Sequence, residues 1–261
     1  MDPKFNTKDR TNFGTNSGDG KKPIRRYIYF SKPSASKGSS DNGILTSIEP
    51  KQPTSPYYSV AETFFNKTKQ KNEDGSTVVN KTMMSKAIEN YEQALVDEPK
   101  NYFILGKLGF CYLLLGENST SMDENLKSMD YYKQAVDLFP DDSHGQAFYN
   151  DMGRLSKRMG NLEDAISYFS RSIELVEQTQ KNDSKSTFSY NNRALLYQKL
   201  AKEKAAQKDI EGAKSDYKNA LSDISNAILI EGEGRKFYEE YQNTYMKILI
   251  EYEKLSRASS Q

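Results

Sequence analysis

From about Ser59 onward, apolar residues return at three- and four-residue spacing, while Pro and Gly thin out to segment boundaries. That is the pattern of successive amphipathic helices. No alternation of strand period reaches a useful length, so the expected fold class is all-α. One stripe of small, aromatic and small residues returns four times. It reads Ala87, Tyr91, Ala94, Leu95; then Ser128, Tyr132, Ala135, Val136; then Ala165, Phe169, Ser172, Ile173; then Ala213, Tyr217, Ala220, Leu221. Small residues let a neighbouring helix approach closely, and the aromatic between them fills the gap. Pro99 and Pro140 then stop the first two of these helices. An earlier helix is predicted over Ser59 to Lys69, followed by a polar loop around Glu73 to Asn80.

A partner pattern precedes the last three stripes. Leu105, Leu108, Gly109, Tyr112 and Gly116 share their spacing with Tyr149, Met152, Gly153, Ser156 and Gly160, and again with Tyr190, Arg193, Ala194, Tyr197 and Ala201. On these residues, over roughly Lys81 to Gly232, the chain resembles the tetratricopeptide repeat family, whose unit of about 34 residues is an antiparallel pair of helices, A and B. The resemblance implies a right-handed superhelix of about four helix pairs in residues 57–232. A basic, low-complexity and disordered arm, residues 1–56, is expected before it, and a capping helix with a short tail, residues 233–261, after it.

Two departures shape the expectation. Gly116 to Ser128 and Ala201 to Ala213 are each 12 positions apart where the family has 5. Seven extra residues are close to two helical turns and preserve the buried face. Two lengthened units follow, either by longer helices or, in the second unit, by a longer loop. The last repeat helix runs on, since Ala213, Ala220 and Ala227 form a seam of small residues. Between Arg235 and Arg257, Tyr238, Tyr241, Tyr245, Ile248, Tyr252 and Leu255 mark a helix that would cover the open end of the stack. Its tyrosines could instead form a contact surface.

Composition narrows the function. Lys plus Arg number 37 and Asp plus Glu 36, a net charge of +1, so specific nucleic-acid binding is not expected. One cysteine, Cys111, and one histidine, His144, leave no internal disulfide and no structural zinc set. The longest nearly apolar run, Ile104 to Gly116, is 13 residues and contains Lys107, too short for a membrane span. The first 30 residues lack the apolar block of a secretory signal, which makes the default address cytoplasmic or nuclear, or a structure assembled from the contents of either. Neither His144, after Asp141-Asp142-Ser143, nor Cys111, inside a repeat, has a partner placed by a recognisable motif. The glycines Gly14, Gly18 and Gly20 before Lys21 fail as a phosphate loop because Lys22 stands where a hydroxyl is needed. No enzyme, cofactor, catalytic residue or metal site is expected.

The arm carries ten basic and five acidic residues, +5, leaving −4 for the remainder. Its one apolar cluster places Arg25, Arg26, Tyr27, Tyr29 and Phe30 together, an extended segment suited to docking on an acidic protein surface or on the chain's own body.

The resemblance implies a protein-interaction module that holds a partner's peptide or amphipathic helix in the concave groove lined by A helices. The groove candidates are Phe103, Lys107 and Phe110, then Asn150 and Arg154, then Asn191 and Leu195; packing against neighbouring helices is the alternative for each. A clamp for the acidic tails of Hsp70 or Hsp90 is disfavoured. Gly106 and Phe110 stand where that subgroup has Lys and Asn, and Asp151 where it has Asn. The expected function is a non-enzymatic adaptor or scaffold. The alternative is a structural component of a large cytoskeletal or ciliary, microtubule-associated assembly, anchored by the arm.

Overall fold

The computed structural model describes residues 51–71, 77–117, 119, 121–139, 145–179 and 186–259, all within one compact unit, Ile48–Gln261. The arm segment Arg25, Arg26, Tyr27, Tyr29, Phe30 and the histidine His144 lie outside these residues. The order is α1 (Pro56–Asn66), β1 (Lys69–Lys71), β2 (Thr77–Val79), α2 (Lys81–Asp97), α3 (Tyr102–Gly116), α4 (Asp123–Leu138), α5 (Gly145–Arg158), α6 (Leu162–Thr179), α7 (Ser186–Ala206), α8 (Ile210–Glu231) and α9 (Tyr238–Ala258).

Short polar side chains start several helices. Asn80 accepts from the Met83 N–H at 3.0 Å, Asn101 from Phe103 at 3.1 Å, and Asp209 from Gly212 at 2.9 Å. The tight turn from α5 to α6 uses Gly160 at φ +85°, a left-handed conformation that costs glycine little.

Three local expectations change. The first helix begins at Pro56, whose fixed φ suits a first helical position, three residues before Ser59. The loop after it holds a small antiparallel hairpin, in which Lys69 pairs with Val79 and Lys71 with Thr77. Thr77, Val78 and Val79 favour strand, and the Asn80 N–H donates to the Thr68 carbonyl at 2.7 Å to close the base. In the second unit the extra residues form a loop, because α3 and α4 are only 15 and 16 residues long. Serines claim the backbone there: Ser119 Oγ accepts from the Ser121 N–H at 3.1 Å and Ser121 Oγ from the Asp123 N–H at 3.0 Å. In the fourth unit the insertion does lengthen the helices, to 21 and 22 residues in α7 and α8. The added stretch, Ala201 to Ala206, is all Ala, Lys and Glu, strong helix formers.

The pairs α1–α2, α3–α4, α5–α6 and α7–α8 pack most extensively, and each second helix also packs on the next first helix. The first helices α3, α5, α7 and α9 touch one another directly as well, so their side is the inner side of the stack. Close approach within a unit depends on the small residue of the first helix. A Cβ on Gly109 would lie 2.7 Å from the Tyr132 ring, and one on Gly153 would lie 2.5 Å from the Phe169 ring. The end of the stack is covered as expected: Tyr241 and Ile248 of α9 are buried, and Tyr238, Tyr245, Tyr252 and Leu255 pack on the same cluster as Tyr217 and Ile224.

Residues 51–55 are tied to the corner between α2 and α3. The N–H groups of Thr54 and Ser55 both donate to one Glu98 oxygen at 2.7 Å, Ser55 Oγ donates to Asp97 at 2.7 Å, and Asn101 Nδ2 donates to the Lys51 carbonyl at 3.2 Å.

Candidate partner-binding groove

The inner side is built from α1, α3, α5, α7 and α9, and the aromatic stripe of the outer helices reaches through to it. Tyr91 of α2 donates its hydroxyl to Glu62 of α1, and Glu62 pairs with Lys107 of α3 at 2.8 Å. Tyr132 of α4 donates to Asp151 of α5 at 3.0 Å, and Asp151 pairs with Arg154 at 3.0 Å. Tyr217 of α8 donates to Glu251 of α9 at 3.4 Å, and Glu251 pairs with Lys202 of α7 at 2.9 Å. One arrangement therefore repeats three times, a tyrosine tip holding a carboxylate that holds a cation. The third unit lacks it because its aromatic residue, Phe169, has no hydroxyl.

The N-terminal half of the groove is filled by the protein's own side chains. The Phe148 ring of α5 occupies the space over Gly106, where a Cβ would come within 2.2 Å, and lies 5.0 Å from the Tyr102 ring and 5.3 Å from the Tyr132 ring. Phe103 packs edge-on to Tyr102 at 5.5 Å. Phe110 lies 5.9 Å from Phe65, and Lys107 sits over the same Phe65 ring at 5.2 Å. Three candidates, Phe103, Lys107 and Phe110, are thus engaged between α1, α3 and α5.

The C-terminal half is arranged differently. Asn150 Oδ1 accepts from Ser189 Oγ and from Asn192 Nδ2, both at 3.2 Å, which ties α5 to α7. Arg154 also bonds Glu117 at 2.5 Å. Leu195 and Asn191 are half-buried on α7, and the Asn191 amide oxygen is buried without a hydrogen-bond partner among the described residues. Beside them Phe188 is 38% exposed, its ring edge-on to Phe237 at 5.2 Å. Phe188 stands two residues before Tyr190 as Phe103 stands two before Leu105, a spacing that marks it along the chain as an inner-side residue. The carboxylates Glu62, Glu117 and Glu251 had no such signal, since their partners are distant in sequence.

Residues 147–178, most of α5 and α6 with the turn between them, match the family model described as tetratricopeptide repeat. The α5–α6 pair is thus a tetratricopeptide repeat unit. No curated protein matches it. Among solved structures, the chain is similar to MamA at 19% identity and a TM-score of 0.43, over 76% of this chain and 90% of that one. A MamA structure from Desulfovibrio magneticus gives 10% identity and a TM-score of 0.42, over 78% and 96%. BtubC from P. vanneervenii gives 14% identity and 0.42, over 68% and 74%.

Electrostatics in the groove follow the paired arrangement. Burial pushes the Asp151 carboxyl up from its ordinary value, while Arg154 and Tyr132 pull against it. Burial, then Glu251, pushes the Tyr217 phenol up to about 12. Burial costs Arg154 some of its charge preference, but Asp151 and Glu117 more than compensate and raise it. The cations Lys107, Arg154 and Lys202 are each paired with a carboxylate where they reach the groove. Burial likewise pushes the Cys111 thiol up to about 12, which makes it a poor nucleophile. Among the described residues no group of three His, Cys, Asp or Glu side chains could hold a metal ion, and no helix is long and apolar enough to cross a membrane.

Proposed function

We propose that the protein is a cytoplasmic, non-enzymatic adaptor that holds a peptide or amphipathic helix of another protein in the C-terminal half of its groove. The supporting observation is the difference between the two halves. Between α1, α3 and α5 the inner surface is occupied by Phe103, Phe110 and Phe148, whereas on α7 the large apolar side chain of Phe188 stands 38% exposed near Leu195, Asn191 and Asn150. An apolar pair flanked by amides suits a partner with an apolar stripe and a polar backbone or flank. The arm contributes a second contact in this reading, its basic and aromatic segment Arg25 to Phe30 meeting an acidic protein surface.

The test is affinity purification of the tagged full chain beside Phe188→Ala/Leu195→Ala and the outer-face control Val96→Ser, with circular dichroism confirming that each variant is folded. Val96 is 71% exposed on α2, away from the groove. Partners retained by the wild type and by Val96→Ser but lost by the groove variant support the adaptor. Equal recovery by all three refutes it.

A further inference from the structure

Lys107, Arg154 and Lys202 of the inner side are each paired with a carboxylate, whereas Lys157 and Lys199 are arranged differently. The bonds from Ser189 and Asn192 to Asn150 set the register of α5 against α7. Seven residues further along each helix, two turns or about 10.5 Å, stand Lys157 and Lys199. α5 and α7 run the same way, each antiparallel to α6 between them, so the two lysines come level on adjacent helices of the inner side. Lys157 makes no ion pair or hydrogen bond among the described residues. Desolvation first, then the positive charges of Lys199 and Arg154, holds its ammonium below the ordinary lysine range. Lys199 has only Glu203, at 3.7 Å, with both side chains about half exposed at 52% and 46%.

The surrounding cations differ. Arg154 is held by Asp151 and Glu117, Arg158 by Asn125 at 2.7 Å and Glu117 at 3.8 Å, and Lys202 by Glu251 at 2.9 Å. Two lysines level on adjacent helices, of which only Lys199 has a counter-ion, the half-exposed Glu203 on its own helix, leave unfavourable repulsion that an incoming carboxylate would relieve. The apolar residues lie in line with them. Phe188 and Leu195 are seven residues apart, two turns of α7, and Lys199 follows Leu195 by one turn on the same face. That order, apolar, apolar, basic, is the complement of a helix with apolar residues two turns apart and an acidic residue on the next turn.

We infer that the occupant of the groove is an acidic amphipathic helix of a partner protein, whose carboxylate sits between Lys157 and Lys199 while its apolar stripe covers Phe188 and Leu195. The inference rests on the adaptor reading above and adds the partner's charge and the residues that select it. It differs from capture of an acidic chain terminus, because the two lysines would take a side-chain carboxylate anywhere along a helix.

Two fluorescein-labelled model helices test it on the full-length protein. Both carry leucines at i, i+3, i+4 and i+7; one has glutamates on the flanking positions and the other lysines. Anisotropy titrations at low and high salt should show binding of the glutamate helix, weakened by salt, and none of the lysine helix. Lys157→Ala/Lys199→Ala should weaken the glutamate helix by about tenfold or more. Equal binding of the two helices, no binding of the glutamate helix at low salt, or an unchanged affinity in the lysine variant overturns the inference. If Phe188→Ala/Leu195→Ala weakens both helices while the lysine variant does not, the groove reading survives and the charge assignment falls. If the apolar variant changes nothing, the groove reading falls with it.

Discussion

The hydroxyl of Tyr132, on α4, crosses a unit boundary and donates to the Asp151 carboxylate on α5 at 3.0 Å. The residue that fills the space inside one helix pair is thus also the strut that fixes a charge on the next. Tyr132→Phe keeps the ring and removes the bond, which should cost about 1–3 kcal/mol in urea denaturation. The same change removes one of the groups that pull the Asp151 carboxyl down against burial, so a carboxylate titration by NMR should find it higher in the variant. An Asp151 titration unmoved by the substitution would refute the strut.

Gly153 faces the Phe169 ring so closely that an added Cβ would lie 2.5 Å from it, inside a fully buried cluster. Gly153→Ala should destabilise the protein by about 1–3 kcal/mol through overpacking. Phe169→Leu makes room, so the double variant should be more stable than the two single effects added together, read as a coupling energy in a thermal or urea cycle. Additive effects would mean that the ring is not the obstacle.

Arg193 occupies a repeat position filled by Leu108 and Met152 in the two preceding units. Its guanidinium grips Asp223 of α8 through Nε and a second nitrogen, both at 2.7 Å, and also donates to Ser170 Oγ at 2.8 Å. Arg193→Leu should cost about 3–5 kcal/mol, because it strands a buried carboxylate. Arg193→Leu/Asp223→Leu should recover most of that loss. If the single variant is as stable as the wild type, the pair contributes nothing to folding.

The strap at residues 51–55 depends on the Glu98 carboxylate. Burial alone would push that carboxyl up, but bonds from the Thr54 and Ser55 N–H groups and from Asn101 outweigh it and hold it below the ordinary value. A value depressed in the folded state means that the stabilisation is complete above the unfolded-state value and fades as pH falls through the folded one. The Thr54 and Ser55 amide resonances should therefore shift toward free-chain positions only in acid, below the ordinary carboxylate range. Glu98→Gln should show no such acid step. A strap that detaches instead as pH rises would contradict the assignment.

Much of this architecture was legible along the chain. The spacing of Leu105, Leu108, Gly109, Tyr112 and Gly116, and its two later copies, marks residues that must meet a neighbouring helix, and such contacts repeat at fixed offsets. The seven extra residues before Ser128 and before Ala213 looked alike in spacing, yet one set became a loop and the other lengthened two helices. Local chemistry separates them: serines that bond the backbone in the first case, Ala, Lys and Glu in the second. The hairpin after α1 leaves no such mark, because its strands are three residues each, too short for an alternation to register.

The chain by itself determined the helices, their pairing within a unit, the close glycine contacts and the closing role of α9. All of these depend on residues at most about 35 apart, set by helical period and side-chain size. Which groove side chains remain open was decided only in three dimensions. Glu62 meets Lys107 from 45 residues away, Glu117 meets Arg154 from 37, and Glu251 meets Lys202 from 49. Charge pairing over such separations depends on how neighbouring units stack, so no spacing rule along the sequence could have distinguished the neutralised cations Lys107 and Arg154 from the repelling lysines Lys157 and Lys199.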